Sequence, residues 1–303
     1  MHRSNRWSLL KETISFSSRN STNLFYLPVL ILFAVFTVYP LISGVQLSFT
    51  DWDGYTANKA FVGISNYVRL LGDKYFLKVL VNTLIFGFGC TILQQILGLL
   101  LALVLDSNIR GKDFARAVVY LPVLVSPVIM GTMYYLLLQY NNGALNDIVL
   151  YFEGSKIAWL SDANAAIAAI VFINTVQFMG ISMILYLTGL QNIPIEYYEA
   201  SNIDGASSLQ QFRHITMPLL YPAMATSVTV NLIGGLKLFD IIKVLTNGGP
   251  GYSTNSVSTY IGLTYFNAQS AGYASSMGVI LFLLILIVTL LLNIILKKRE
   301  VNF

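Results

Sequence analysis

Residues 79–105 read VLVNTLIFGFGCTILQQILGLLLALVL, with no Asp, Glu, Lys or Arg among them. As an α-helix at 1.5 Å per residue this stretch is about 40 Å long, more than a bilayer's hydrocarbon core of roughly 30 Å. A membrane β-strand would need only about 10 residues of alternating polarity. This run is continuous and apolar, so it predicts a spanning helix. The whole chain agrees: of 303 residues 55% are hydrophobic and 11% charged, and the mean hydropathy is +0.67. A soluble domain carries roughly 25% charged residues. The deficit excludes a cytosolic enzyme, a disordered chain and a nucleic-acid-binding module. The net charge of +4 forms no dense basic stripe, which gives no sign of a nucleic-acid partner. One cysteine, Cys90, and two histidines, His2 and His214, leave no thiolate or imidazole cluster for a metal.

Five further uncharged stretches are long enough to span: Leu24–Thr50, Ala117–Asn146, Ala163–Ile195, Ile215–Leu236 and Val244–Leu296. The last contains the turn-rich run 246–254, which places its spanning part at Ser275–Leu296. The first is too long for a cleaved leader and is read as a retained helix. Only helices and closed barrels satisfy their backbone in lipid, so the fold class is an all-α bundle of six spans. Both ends then lie on one side. That side holds Arg3, Arg6, Lys11, Arg19, Arg110, Lys112, Arg116, Arg213, Lys297, Lys298 and Arg299. The other side holds Lys59, Arg69, Lys74, Lys78 and Lys156. Positive residues concentrate in the cytoplasm, so both termini are expected there. The chain divides into a tail or interfacial helix at 1–23, a membrane domain at 24–296 and a tail at 297–303.

No phosphate loop, H-E-x-x-H or G-x-S-x-G signature is present. Any driving energy must come from an ion gradient or a partner. Ion-coupled carriers place ionisable groups inside the bundle; here only Lys237, Asp240 and Lys243 approach a span. Spaced three apart, they would share one face of the fifth helix. Lys237 would lie about 28 Å along that helix from Pro218, near the outer interface. Two readings stand: an interfacial ion pair, or polar contacts at the mouth of a pathway. Pro122, Pro127, Pro218 and Pro222 are expected to kink or break their helices.

Residues 194–218 are the most ordered of the loops. Pro194 can begin a helix whose positive end suits Glu196 and Glu199. Gly205 can end it in a left-handed conformation. A second short helix then carries Phe212 and Ile215 before Pro218 opens the fifth span. Helix, glycine bend and helix make an element suited to docking. Its residues Glu199-Ala200-Ser201 and Asp204-Gly205-Ala206, followed by Phe212, Ile215 and Pro218, resemble the EAA loop of ABC importer permeases. Ser201 stands where that family usually has alanine. The resemblance implies a type I importer permease whose coupling helix at 194–218 docks on an ATPase dimer. It also implies that ATP and magnesium are bound by those partners, with no cofactor, metal or catalytic residue in this chain.

Phe239-Asp240, then Leu245-Thr246-Asn247-Gly248-Gly249-Pro250, resemble the outer turn of the maltose-type branch. Ser48-Phe49-Thr50-Asp51-Trp52, Val62-Gly63-Ile64-Ser65-Asn66-Tyr67, Asn82-Thr83, Leu121-Pro122 and Gly272-Tyr273-Ala274 are similar to it as well. These patches imply sugar import, with a second permease subunit, an extracytoplasmic sugar-binding protein and a bacterial or archaeal cell membrane around the complex. Another neutral solute is the alternative, and a self-sufficient secondary carrier a further one.

Asn174, Gln177 and Phe178 fall at i, i+3 and i+4, on one helical face. The resemblance places that stretch on the sugar pathway. Asn231, Gly234, Gly235 and Leu238 on the fifth span, with Ser126 and Pro127 on the third, complete the expected lining. The asparagines could equally bridge helices, and the glycines could equally serve close packing. The glycine pair stands where the family carries bulkier residues. That implies few contacts from this subunit, with selectivity held by its companion or the binding protein.

Overall fold

The computed structural model describes residues 26–107 and 109–297. The expected tail at 1–23, and residues 298–303 of the C-terminal tail, lie outside the described residues. In chain order the helices are α1 (Leu27–Leu47), α2 (Ser65–Gly72), α3 (Lys74–Asp106), α4 (Lys112–Leu124), α5 (Pro127–Leu137), α6 (Ala144–Tyr151), α7 (Ala163–Gln191), α8 (Ile195–Ile203), α9 (Ser208–Gln211), α10 (Met217–Leu236), α11 (Asp240–Leu245), α12 (Val257–Phe266) and α13 (Ala271–Lys297). Among the described residues, β pairing amounts to one isolated bridge, Thr50 to Phe61.

Helices α1, α3, α7 and α13 are long and apolar enough to cross a membrane, with α4 and α5 together a fifth candidate. Helix α10 has 20 residues, enough for about 30 Å, and carries Pro218, Pro222, Thr226, Ser227, Thr229 and Asn231.

The third expected span is not straight. Its halves α4 and α5 meet at 96°. Val125 and Ser126 are extended at the break, and Pro127 opens α5. Proline lacks the N–H that would continue the ladder, and it pushes the residue before it out of the helical region.

Three helices make the centre: α3, α7 and α10. Asp73 caps α3 by accepting from the N–H groups of Tyr75 and Phe76, and Asp162 caps α7 through Ala165 N–H. Where the helices cross, glycines let the backbones close. A methyl on Gly98 would collide with the Ser182 side chain, and one on Gly235 would lie 2.9 Å from Gly87 Cα. Small residues at such crossings let dispersion contacts and side-chain bonds hold helices that the hydrophobic effect cannot drive together in lipid. At the Gly98 crossing Ser182 Oγ accepts from Asn231 at 2.6 Å and from Gln95 at 3.2 Å. Gln95 in turn accepts from the Tyr186 hydroxyl at 2.7 Å. One serine therefore ties all three helices.

The fifth stretch also differs from the sequence reading. Helix α10 stops at Leu236, after Gly234 and Gly235 have weakened it. Lys237 leaves helical geometry, and Asp240 starts the separate helix α11. Lys237 and Asp240 do not share a helix face. The ion pair found among the described residues is Arg116 with Asp113, at 3.1 Å. The adjoining run 246–256 is more than a turn. Ser253, Thr254, Asn255 and Ser256 are buried. Asn82 of α3 donates to the carbonyls of Ser253 and Asn255, and Thr83 accepts from Val257 N–H.

Gly98→Val tests the central crossing. Overpacking a close contact costs roughly 1–3 kcal/mol. The variant is expected to melt several degrees lower by fluorescence-detected size exclusion, while Gly44→Val, at a glycine with open space around it, leaves the midpoint unchanged.

Candidate functional site

Two places carry the residues singled out by the sequence. The first is a hollow of about 270 Å³ between α5, α7 and α10, continuing onto α11. Asn174 and Phe178 of α7, Asn231, Gly234 and Gly235 of α10, Leu238 and Pro127 lie on its wall. Gln177 and Ser126 do not. Gln177 is fully buried and turned toward the break in the third span, where its Nε2 donates to the Val125 carbonyl at 3.0 Å. That carbonyl is one the interrupted helix leaves without its own partner. Ser126 is the N-cap residue of α5 and makes no side-chain capping bond.

The polar wall groups bridge helices and face the hollow at once. Asn174 accepts from Gln94 Nε2 through its backbone and side-chain oxygens, at 3.1 and 3.0 Å. Asn231 donates to Ser182. Gln94 Oε1 is buried without a partner. The two glycines divide the roles: a Cβ on Gly234 would meet open space, whereas Gly235 is packed on Gly87. The wall thus offers amide groups, the Phe178 ring and apolar surface. Its charged members, Lys237 and Asp240, are of opposite sign.

The second place is the elbow after α7. Pro194 caps α8 and Glu196 lies in its first turn. Gly205 has φ +75°, and the chain reverses through paired bonds, Ala206 N–H to the Ser201 carbonyl and Gly205 N–H to the Asn202 carbonyl. This is the Schellman closure that a glycine permits. Gln211 Nε2 then clasps the two arms by donating to Ser201 Oγ and Asn202 Oδ1, at 2.9 and 2.7 Å. Ser207 and Gln210 form a capping box at the start of α9. The second arm is not a free-standing helix. It passes through a π-turn at Phe212–Thr216 straight into α10, with Pro218 two residues beyond the turn. The π-turn Ala34–Val38 likewise precedes Pro40 by two. Exposed on the elbow are Glu199, Ala200 and Asp204, along with Ile203 at 88% and Leu209 at 75%.

Residues 94–301 match the family model described as the binding-protein-dependent transport system inner membrane component. The chain belongs to this family. It is 36% identical over 277 residues to the multiple sugar-binding transport system permease protein of Streptococcus mutans, covering 91% of this chain and 95% of that one. It is 35% identical over 267 residues to the trehalose/maltose transport system permease protein of Thermococcus litoralis, covering 88% and 90%. Its fold matches the crystal structure of a bacterial ABC transporter involved in the import of the acidic polysaccharide alginate. The TM-score is 0.81 at 23% identity, over 95% of this chain and 98% of that chain.

This chain is therefore a multi-pass inner-membrane permease component. Its hollow includes Gln94, Ile181, Val230, Phe239 and Ile241, which the sequence reading did not single out for it, and also Lys237 and Asp240, which that reading placed either in an interfacial ion pair or at the mouth of a pathway. Gln94 had a signal, an amide in an apolar run that costs free energy unless satisfied. Phe239 and Ile241 had none, because their position follows from the break after Leu236.

Gln177→Leu would leave the Val125 carbonyl buried without a donor, at a cost of about 1–3 kcal/mol. A lower melting midpoint is expected. Gln177→Glu is expected to be worse, since its carboxylate also repels a carbonyl oxygen. Wild-type midpoints for both would remove Gln177 from its place at the break.

Proposed function

We propose that the chain is one of two permease subunits in an ATP-driven, binding-protein-dependent sugar importer, and that it forms half of the translocation pathway. One observation carries this reading. The polar hollow and the docking elbow are built on the same two helices, α7 and α10, which Ser182 and Asn231 bond together. A movement of the elbow is delivered to the wall of the hollow. The relatives named for multiple-sugar and for trehalose/maltose transport support a sugar as the solute. The wall chemistry suits it too: amides can bond hydroxyls, the Phe178 ring offers a face to a pyranose, and the charges balance. At about 270 Å³ the hollow falls just below the usual 300–1,000 Å³ of complete ligand sites. Half a site, closed by a second subunit, fits that size.

In this reading the elbow lies in the cytoplasm, as do both termini, and Glu199, Ala200, Ser201, Asp204, Gly205 and Ala206 engage the ATPase dimer. Phe212 and Pro218 join that element to α10. ATP and magnesium are held by the ATPase subunits, and the permease performs no chemistry on its solute. The sugar arrives on an extracytoplasmic binding protein, and ATP-driven closure of the ATPase pair pushes the elbow and turns the hollow outward.

The test is reconstitution with the co-purifying subunits. Asn174→Leu and Asn231→Leu are expected to cut substrate-stimulated ATP hydrolysis and sugar uptake at least tenfold, about 1.4 kcal/mol, with the ATPase still bound. Glu199→Lys and Gly205→Pro are expected to lose the ATPase or to separate hydrolysis from uptake. Full uptake by both pairs would overturn the assignment, as would uptake by the chain without ATPase subunits.

A further inference from the structure

Between α5 and α7 the chain makes a hairpin, 138–162, whose first residues close the uncharged stretch Ala117–Asn146. The Asn146 side chain bonds both of its arms. Asn146 is buried. Its Nδ2 donates to the carbonyls of Tyr140 and Ile157, and its Oδ1 accepts from Ile157 N–H and Trp159 Nε1. With Asn146 turned inward, the opposite side of α6 carries Ile148, Tyr151 and Phe152, spaced i, i+3 and i+4. All three are exposed, Tyr151 at 83% and Phe152 at 76%. A rigid hairpin thus displays an apolar knob.

What lies beneath it is also apolar. A groove of about 310 Å³ runs between Leu145 of α6, Tyr134 of α5, Trp159, and Ala168, Phe172 and Ile173 of α7. The groove follows from the 96° bend. Helix α4 covers α7 as far as Gly180, against which the Val119 and Tyr120 backbones are closely packed. Helix α5 then turns away, leaving Ala168 and Phe172 exposed. Phe172 lies about 14 Å along α7 from its first residue. Because α7 is a spanning helix, that depth is hydrocarbon, so the apolar surface is continuous from bilayer depth up to the knob. Lys156 stands on the same hairpin, donating to Asn141 Oδ1 at 3.2 Å and lying 5.5 Å from the Tyr140 ring. A lysine beside an exposed tyrosine fits a membrane–water boundary.

We propose that α6 lies in the membrane interface of the leaflet opposite the Gly205 elbow. Ile148, Tyr151 and Phe152 sit at the acyl boundary, the groove holds one acyl chain of a phospholipid, and Lys156 reaches the phosphate. A helix in the interface plane buries its apolar face at the headgroup–acyl boundary, and the one charged residue of α6, Asp147, stands at the border of that face.

The chain's single cysteine, Cys90, is buried, so a thiol introduced at the surface can be labelled selectively. Ile148→Cys, Phe152→Cys and Asp147→Cys would each carry an environment-sensitive fluorophore. They would be studied in the assembled complex in phospholipid nanodiscs, with partner subunits free of accessible thiols. Phosphatidylcholine spin-labelled near the head of its acyl chain is expected to remove most of the emission at 148 and 152, with aqueous iodide ineffective. Asp147, on the border of the apolar face, is expected to respond to iodide. Two positions guard against a local defect in either variant. Iodide quenching at both 148 and 152 would overturn the proposal by placing the hairpin in water. Protection of those probes on adding the extracytoplasmic binding protein would overturn it in favour of a protein-docking knob. Indifference to both quenchers would overturn it in favour of burial against the second subunit.

Discussion

The contact between Gly98 and Ser182 governs the bundle. With no side chain on Gly98, α3 approaches α7 until backbone meets side chain, and Ser182 comes within bonding distance of both Gln95 and Asn231. In lipid there is no gain from hiding apolar groups against one another, so proximity and polar bonds must supply the association. That contact fixes where α10 lies and hence where the hollow opens. The same α7 leads directly to the elbow, so the position of the elbow is set by it too.

A second constraint shapes what surrounds this centre: each backbone group released by a broken helix must find a partner, because lipid offers none. At Val125 the partner is Gln177. Near Leu238 it is the Ser256 hydroxyl, which donates to the Leu238 carbonyl at 2.6 Å. At the far end of α3 it is Asn82, satisfying the carbonyls of the buried 253–255 run. Other polar side chains bond helix to helix, as Gln95 and Asn231 do through Ser182. Gln94 Oε1 beside the hollow and Gln177 Oε1 at the break are buried without a partner.

Legibility in the sequence divides along these lines. Long uncharged runs marked α1, α3, α7 and α13, since hydropathy over twenty residues is a local property. Pro194, Glu196, Gly205 and the residues after them marked the elbow, since capping chemistry is local as well. The prolines at 122 and 127 announced an interruption but not its angle, which depends on how α5 packs against α11. The break after Leu236 was hidden because Lys237, Asp240 and Lys243 keep helical spacing in the sequence while the chain leaves the helix. Gln177 shared a face with Asn174 and Phe178 by periodicity. Only the bend places the Val125 carbonyl within its reach, and so draws it away from the hollow. Ser201 looked like a mild departure from its family; its hydroxyl is where Gln211 holds the two arms together.

That clasp has a consequence for association. A loop that must be ordered as it docks gives up conformational entropy at that moment, roughly 0.5–1.5 kcal/mol for each rotamer-rich side chain immobilised. An elbow already closed by the Ser201, Asn202 and Gln211 bonds and by the Gly205 reversal has lost most of that freedom during folding. In the docking proposed above, a partner would meet a finished shape that presents Ile203 and Leu209, and force applied there would be transmitted rather than absorbed.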